Sequence, residues 1–340
     1  MKESRFKNHA YSFEMASAVR VTGEDAFDFL QSQFSNDLSN LLSDSSATVY
    51  GLWLNAKGRV LADSLVLKGE EDAYYLFSES SPASNLLEHL SSHIIADAVE
   101  LEPLTAVGSI IVGSKGMMEI MQSLAIIDEV DLAGSVGSVS SDKDAEINWA
   151  IPFIAADQGF FIYPLPDSLA GAYVCCFTDP LSYEKAIDCT KQRAGPWLSE
   201  NARHLHRIDS GFPLIPKEIG PNDLAAEGGL VPSAVSLNKG CFLGQEVVAR
   251  LYHLGKAQRQ LYVLSLEGSV EDLLEHLPYK IVCSGRALGE IRSIYADESM
   301  ANRFYAVALI KERNRDQLTT GIEIGRACLK SICSFEAFSV

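Results

Sequence analysis

The sequence predicts an α+β protein: helices and strands alternate to about residue 255, and short β-rich runs fill the remainder. Three observations predict it. Apolar residues switch between the helical spacing of Phe27, Leu30 and Phe34 and the two-residue alternation of Tyr50, Leu52 and Leu54, the two periods that separate a helix face from a strand face. Beyond residue 255 the helical spacing gives way to short β-prone runs punctuated by glycine, the texture of a small antiparallel barrel or sandwich. Finally, a chain of 340 residues, 47% apolar and 21% charged, exceeds the roughly 250 to 300 residues at which one core stops growing, so two domains are expected.

The elements follow in order. Thr22 and Asp25 read as a capping box opening a first helix that carries Phe27, Leu30 and Phe34. Runs 49–54 and 60–67, joined by Asn55-Ala56-Lys57-Gly58, read as a β-hairpin. A strand at 74–77 leads to Ser81-Pro82, a helix start, and then to Leu86, Leu87, Leu90 and Ile94 spaced for a buried face. The Gly/Ser/Asp-rich stretch 131–144 reads as a surface loop. Strands are expected at 160–163 and 172–177 and helices at 180–192 and 196–208. The tail then offers strands at 260–266, 279–283, 287–294, 303–310 and 322–332.

Charge and cysteine usage narrow the function. Lys plus Arg number 28 against 45 Asp plus Glu, a net charge of −17 with a pI near 4.8. Such a surface repels phosphate backbones and anionic lipid, so direct binding of duplex nucleic acid is not expected and an anionic ligand needs a locally positive site. Without a signal-like N-terminus or an apolar run approaching 18 residues, no membrane association is expected, and the expected location is cytoplasmic. The seven cysteines, at 175, 176, 189, 241, 283, 328 and 333, contain no Cys-x-x-Cys pair. They lack the spacing of a zinc ribbon or a ferredoxin-type cluster. His204 and His206, two residues apart, do not suit a helical metal pair, so no metal site is expected.

The segment richest in unusual residues is Lys239-Gly240-Cys241-Phe242-Leu243-Gly244-Gln245-Glu246, continuing to Arg250 and on to Lys256 and Arg259. Gly240 and Gly244 bracket Cys241 and permit a tight backbone. A helix reads from Gln245, with Glu246 and Arg250 four apart. Cys241 then precedes a helix N-terminus and lies two residues from Lys239, and both features favour a thiolate. Between 239 and 260, four basic residues face one acid, a local anion site in an acidic molecule. Against this stand the ordinary readings: a small packed cysteine and a helix ion pair. A second turn-rich cluster leads through Arg207 and Gly211 to Glu218. Its carboxylate reads either as a bidentate acceptor for the N–H groups of a heterocycle or as a solvated loop acid.

The segment from Lys239 to Arg250 resembles K-G-C-[FY]-x-G-Q-E-x-x-x-R, the signature of the YgfZ family. These are folate-binding relatives of the glycine-cleavage T-protein, an aminomethyltransferase, and of the mitochondrial iron–sulfur assembly factor. Val21, Gly23, Asp25, Ala26, Phe29, Leu30, Gln31, Gln33 and Asp37 stand in the family's order. Ala56-Lys57-Gly58-Arg59, and Arg207-Ile208 with Gly211 and Pro213, follow in the same order.

The resemblance implies T-protein-like, folate-binding α/β lobes over 1–255 and a C-terminal β-barrel over 256–340. It implies tetrahydrofolate as ligand and Cys241 as the essential residue, with Arg250, Lys239 and Glu218 as polar contacts. Glu227 competes with Glu218, because residues 220–228 lengthen the connection to the cysteine segment. The implied role is accessory: assembly or repair of iron–sulfur clusters in client enzymes, including those that modify tRNA, without contact with tRNA. The alternative is a tetrahydrofolate-dependent aminomethyltransferase. Where the T-protein resembles G-G-[IV]-[IL]-D-D, Gly58-Arg59-Val60-Leu61-Ala62-Asp63 retains a single acid, Asp63. A third reading is a folate sensor or scaffold in which Cys241 is merely packed. Whether the protein is an enzyme, and its oligomeric state, stay open at this level.

Overall fold

The computed structural model describes residues 9–43, 48–69, 72–124, 153–155, 159–165, 172–193, 197–283 and 285–335. The loop expected at 131–144 lies outside them. The chain begins with β1 (Tyr11–Phe13), β2 (Ser17–Thr22), α1 (Ala26–Gln33), α2 (Asn40–Ser43), β3 (Thr48–Leu54), β4 (Val60–Lys68) and β5 (Tyr74–Ser78). There follow α3 (Ala83–Ser91), β6 (Glu100–Pro103), β7 (Gly108–Gly113), α4 (Ser114–Ser123), β8 (Phe153–Ala155), β9 (Phe160–Pro164), β10 (Ala172–Phe177) and α5 (Pro180–Arg193). The rest comprises α6 (Glu200–Asp209), α7 (Val231–Ala234), α8 (Gln245–Leu254), β11 (Arg259–Ser269), α9 (Glu271–Glu275), β12 (Tyr279–Cys283), β13 (Arg286–Ala296), β14 (Arg303–Lys311), β15 (Glu323–Ile324) and β16 (Arg326–Ser334).

Two compact units result. The first comprises Met1–Gln31, Asp37–Tyr50 and Ser64–Leu198. One of its sheets has the strand order β1-β7-β10-β9-β8. Ile110 and Val112 of β7, Phe160 and Ile162 of β9, and Tyr173, Cys175 and Phe177 of β10 face a core shared with Met117, Ile120 and Met121 of α4 and Ala186 of α5. The alternate residues of β9 meet the rings of β5: Tyr75 and Phe161 are 5.0 Å apart, Phe77 and Phe161 5.2 Å, and Phe77 and Tyr163 5.0 Å. These strands are covered on both faces, which is why they read as continuous apolar runs. In its second sheet Leu65–Lys68 of β4 pair with β5, and β5 and β6 lie antiparallel to β2.

Local differences from the sequence reading have local causes. Thr22 ends β2, because Val19 and Val21 are buried on a strand paired with β5, so it caps no helix. The first helical bond runs instead from the Phe29 N–H to the Asp25 carbonyl at 2.9 Å, while the Asp25 carboxylate accepts from the Ala98 N–H at 2.7 Å. Pro82 is the N-cap of α3. Leu86, His89 and Leu90 form its buried side, and the helix ends before Ile94. Strands β1, β2, β6, β7 and β8 and helices α2, α4, α7 and α9 lie outside the elements the sequence predicts.

The second unit comprises Ser32–Asn36, Gly51–Asp63 and Ser199–Val340. Helix α6 starts later than expected because Ser199 caps it, its hydroxyl accepting from the Ala202 N–H at 3.1 Å. The β-rich tail forms one antiparallel sheet in the order β12-β13-β14-β11-β16-β15. All six of its strands contribute to a single core that includes Leu264, Ile281, Leu288, Ala308, Ile324 and Leu329. One face of every strand reaches the same interior only if the sheet curls around it, the geometry of a small barrel.

Candidate functional site

Cys241 sits on an irregular segment between α7 and α8, and it is exposed. Cys175, Cys176 and Cys189 are buried, and Cys283, Cys328 and Cys333 are partly so. Burial pushes the Cys176 thiol up to about 12 and raises those of Cys175 and Cys333. Among the described residues, Cys241 is the exposed cysteine.

The loop that carries it is held at several points. Lys239 is turned inward: its ammonium donates to the Phe34 carbonyl at 2.7 Å and to the Asn36 carbonyl at 2.8 Å, and lies 5.4 Å from the centre of the Phe242 ring. Ser35 ties the same region together. Its hydroxyl donates to the Ala234 carbonyl at 2.6 Å and accepts from the Leu52 N–H at 2.8 Å. The Ser236 N–H donates to the Ser35 carbonyl at 3.0 Å, and the Leu243 N–H to the Ser32 carbonyl at 3.1 Å. The 32–36 segment thus acts as a splint, supplying carbonyls that the loop would otherwise leave to water.

Of the bracketing glycines, only Gly244 is required by its geometry. It takes φ +82° as the N-cap of α8, and a Cβ there would sit 2.6 Å from the Asn55 carbonyl oxygen. Gly58 of the hairpin turn, at φ +68°, is approached less closely, a Cβ there lying 3.0 Å from the Val247 Cβ. The turn is an Asn-based one: the Asn55 side-chain oxygen accepts from the Lys57 and Arg59 N–H groups at 2.9 and 3.1 Å. A Cβ on Gly240 would meet nothing within 4 Å. Cys241 lies three residues before the N-cap, outside the first turn, where the field of a helix end acts.

The remaining sequence candidates fall into different surroundings. Arg250 is exposed on α8, as is Glu246, and Asp63 is half-buried on β4. Glu218 is fully buried, and both its oxygens are taken. Arg207 donates one N–H to each at 2.9 Å. Ser293 and Tyr295 hydroxyls donate to Oε1 at 2.5 and 3.2 Å, and the Leu214 N–H to Oε2 at 2.8 Å. Glu227, the competing acid, is gripped by Arg259 through both oxygens at 2.8 Å and accepts from the Leu224 N–H at 2.9 Å. Neither carboxylate is idle. The Arg207–Glu218 pair, and the parts played by Ser35 and Asn55, were not read from the sequence. Its one signal was an arginine and an acid flanking the same Gly/Pro-rich turn.

The model of the GCVT N-terminal domain matches residues 5–134. The chain is 24% identical to the iron-sulfur cluster assembly factor IBA57 homolog, mitochondrial, of Yarrowia lipolytica, over 82% of this chain but 57% of that protein, so it spans little more than half of that relative. It is 24% identical to the tRNA-modifying protein YgfZ of Colwellia psychrerythraea, over 73% of this chain and 68% of the other. In fold it is similar to the glycine cleavage system aminomethyltransferase T of Bartonella henselae, with a TM-score of 0.67 at 14% identity, covering 97% of this chain and 86% of that one.

Proposed function

The chain is a relative of the YgfZ and IBA57 proteins in an aminomethyltransferase-type fold, and from this premise we propose that it is a folate-binding accessory factor for the assembly or repair of iron–sulfur clusters. Its clients are iron–sulfur enzymes, among them enzymes that modify tRNA, and Cys241 is its reactive group. The observation that carries the proposal is the exposed thiol of Cys241 on a loop whose backbone is pinned by Lys239, Ser35 and Gly244. A nucleophile or transient cluster ligand needs both access and a fixed position.

Tetrahydrofolate is the proposed ligand. The residues on this segment fit its charged tail better than its ring system: Arg250 is an exposed cation, whereas the oxygens of Glu218 and Glu227 are already taken by arginines. We therefore read Arg250 as a contact for the glutamate carboxylates. Lys239 and Glu218 are read as positioning residues, which act through the segments they hold. When bound, tetrahydrofolate would supply one-carbon chemistry.

The test is restoration of iron–sulfur enzyme activity in a deletion strain by wild type and by Cys241→Ser, together with calorimetry of tetrahydrofolate binding. Loss of rescue with folate binding retained is the expected result. Full rescue by Cys241→Ser would remove any role for the sulfur, and no heat with tetrahydrofolate would remove the ligand. The second reading, an aminomethyltransferase, is favoured by the fold and by Asp63 on β4. Turnover of an aminomethylated lipoyl carrier protein with tetrahydrofolate, lost in Asp63→Asn, would establish it in place of the first.

A further inference from the structure

The second unit carries a cleft of about 770 Å³ whose walls come from the hairpin turn, the 224–227 segment, the end of α8, the 256–259 linker and the residues after β14. Five basic residues line it against two acids, Glu227 and Glu312. In a molecule of net charge −17, this local excess of positive charge needs a reason.

Of the two acids, Glu227 is paired with Arg259, whereas Glu312 accepts from the Tyr262 hydroxyl at 2.8 Å and keeps its charge, one acid against the four remaining cations. Arg259 is neutralised by Glu227 and by Asp223, 3.1 Å away. Arg59 donates to the Asn222 carbonyl at 2.8 Å, a neutral acceptor, and among the described residues no carboxylate pairs with it. Among the described residues, no carboxylate pairs with Lys256, Lys311 or Arg313. Arg259 and Lys311 stand directly opposite each other in the β11–β14 ladder, and the carboxylates of Glu227 and Asp223 go to Arg259, so that of the two cations only Arg259 is paired among the described residues.

We propose that this cleft binds a compact polyanion, a small molecule carrying two or more phosphate or carboxylate groups that lie between Arg59, Lys256, Lys311 and Arg313. The volume is that of small-molecule sites. A nucleic-acid strand is disfavoured because it would extend over the surrounding acidic surface. The proposal does not rest on the folate reading, and a protein that bound no folate would still present this cleft.

Calorimetry at low ionic strength with tripolyphosphate and with a triglutamate peptide tests it. Saturable binding of at least one probe is expected, weakened at least about tenfold in Lys256→Glu/Lys311→Glu and by added salt, with thermal unfolding unchanged. The tighter probe identifies the anionic group, phosphate or carboxylate. Binding of neither, or equal binding by wild type and variant, overturns the proposal. So does a single-stranded oligonucleotide that binds more tightly than both probes and is lost in the variant. Should the double variant not fold, Lys311→Gln/Arg313→Gln is read by the same outcomes.

Discussion

Glu218 and Lys311 belong to the same unit, yet their surroundings differ in kind. Around Glu218 every charge is met: two guanidinium N–H groups, two hydroxyls and a backbone N–H converge on one carboxylate that no solvent reaches. Around Lys311 the cations outnumber the acids, and of the two acids one is paired with Arg259. A buried ion is tolerated only when fully paired, so the first cluster is architecture. A solvated cation costs little to leave unpaired and remains available to a ligand. The degree of saturation, and not the density of charge, separates a structural cluster from a candidate site.

The comparison is broken most forcefully at Glu218. Glu218→Ala strands the Arg207 guanidinium and should cost about 3 to 5 kcal/mol, measured by denaturant unfolding. Anion binding by the folded fraction should be unchanged. A loss under about 1 kcal/mol would show that the cluster is not structural.

The glycine pair around Cys241 offers a smaller effect. Gly244→Ala meets the Asn55 carbonyl from a left-handed backbone and should cost about 1 to 3 kcal/mol. Gly240→Ala enters open space and should stay within about 0.5 kcal/mol of wild type. Equal effects would mean that the α8 cap is not what holds the loop.

His204 sharpens the picture of the buried cluster through pH. Burial, with the charges of Arg207, Arg203 and Lys217, holds its imidazole at about 3, down from 6.5, and its ring lies 4.5 Å from that of Tyr295. Above 6.5 both folded and unfolded forms are neutral. As pH falls from about 6.5 towards 3, the unfolded chain takes a proton that the native protein refuses, so stability drops through that window. His204→Gln should remove this part of the slope. Unfolding curves at neutral and mildly acidic pH measure it, and parallel losses in wild type and variant would contradict it.

The smallest effect is expected at Cys241. Cys241→Ser should leave stability within about 0.5 kcal/mol and remove the fastest-reacting thiol in a labelling experiment on the native protein. An unchanged fast phase would place the accessible sulfur elsewhere.

Much of the fold was legible. The hairpin appears as β3 and β4, α8 begins at Gln245, and the glycine-punctuated tail is one six-stranded sheet. These elements carry strong periodicity and turn chemistry within a few residues. What went unread was short or ambiguous locally. Strand β2 looked like the approach to a helix because Thr22 and Asp25 match a capping box, and only pairing with β5 and β6 makes it a strand.

The site divides in the same way. Sequence alone determined which residues are unusual: a cysteine among glycines, a basic stretch in an acidic chain, an acid in a Pro-rich turn. Tertiary structure decided what each is for. It turned Lys239 inward onto the Phe34 and Asn36 carbonyls, buried Glu218 against Arg207, left Cys241 exposed, and assembled the cleft from Arg59, Lys256 and the Lys311–Arg313 stretch, which are far apart from one another in the chain. The physical reason is that a residue's chemistry is intrinsic and can be read singly, whereas its burial and its partners are set by segments remote in sequence, brought near only when the chain folds.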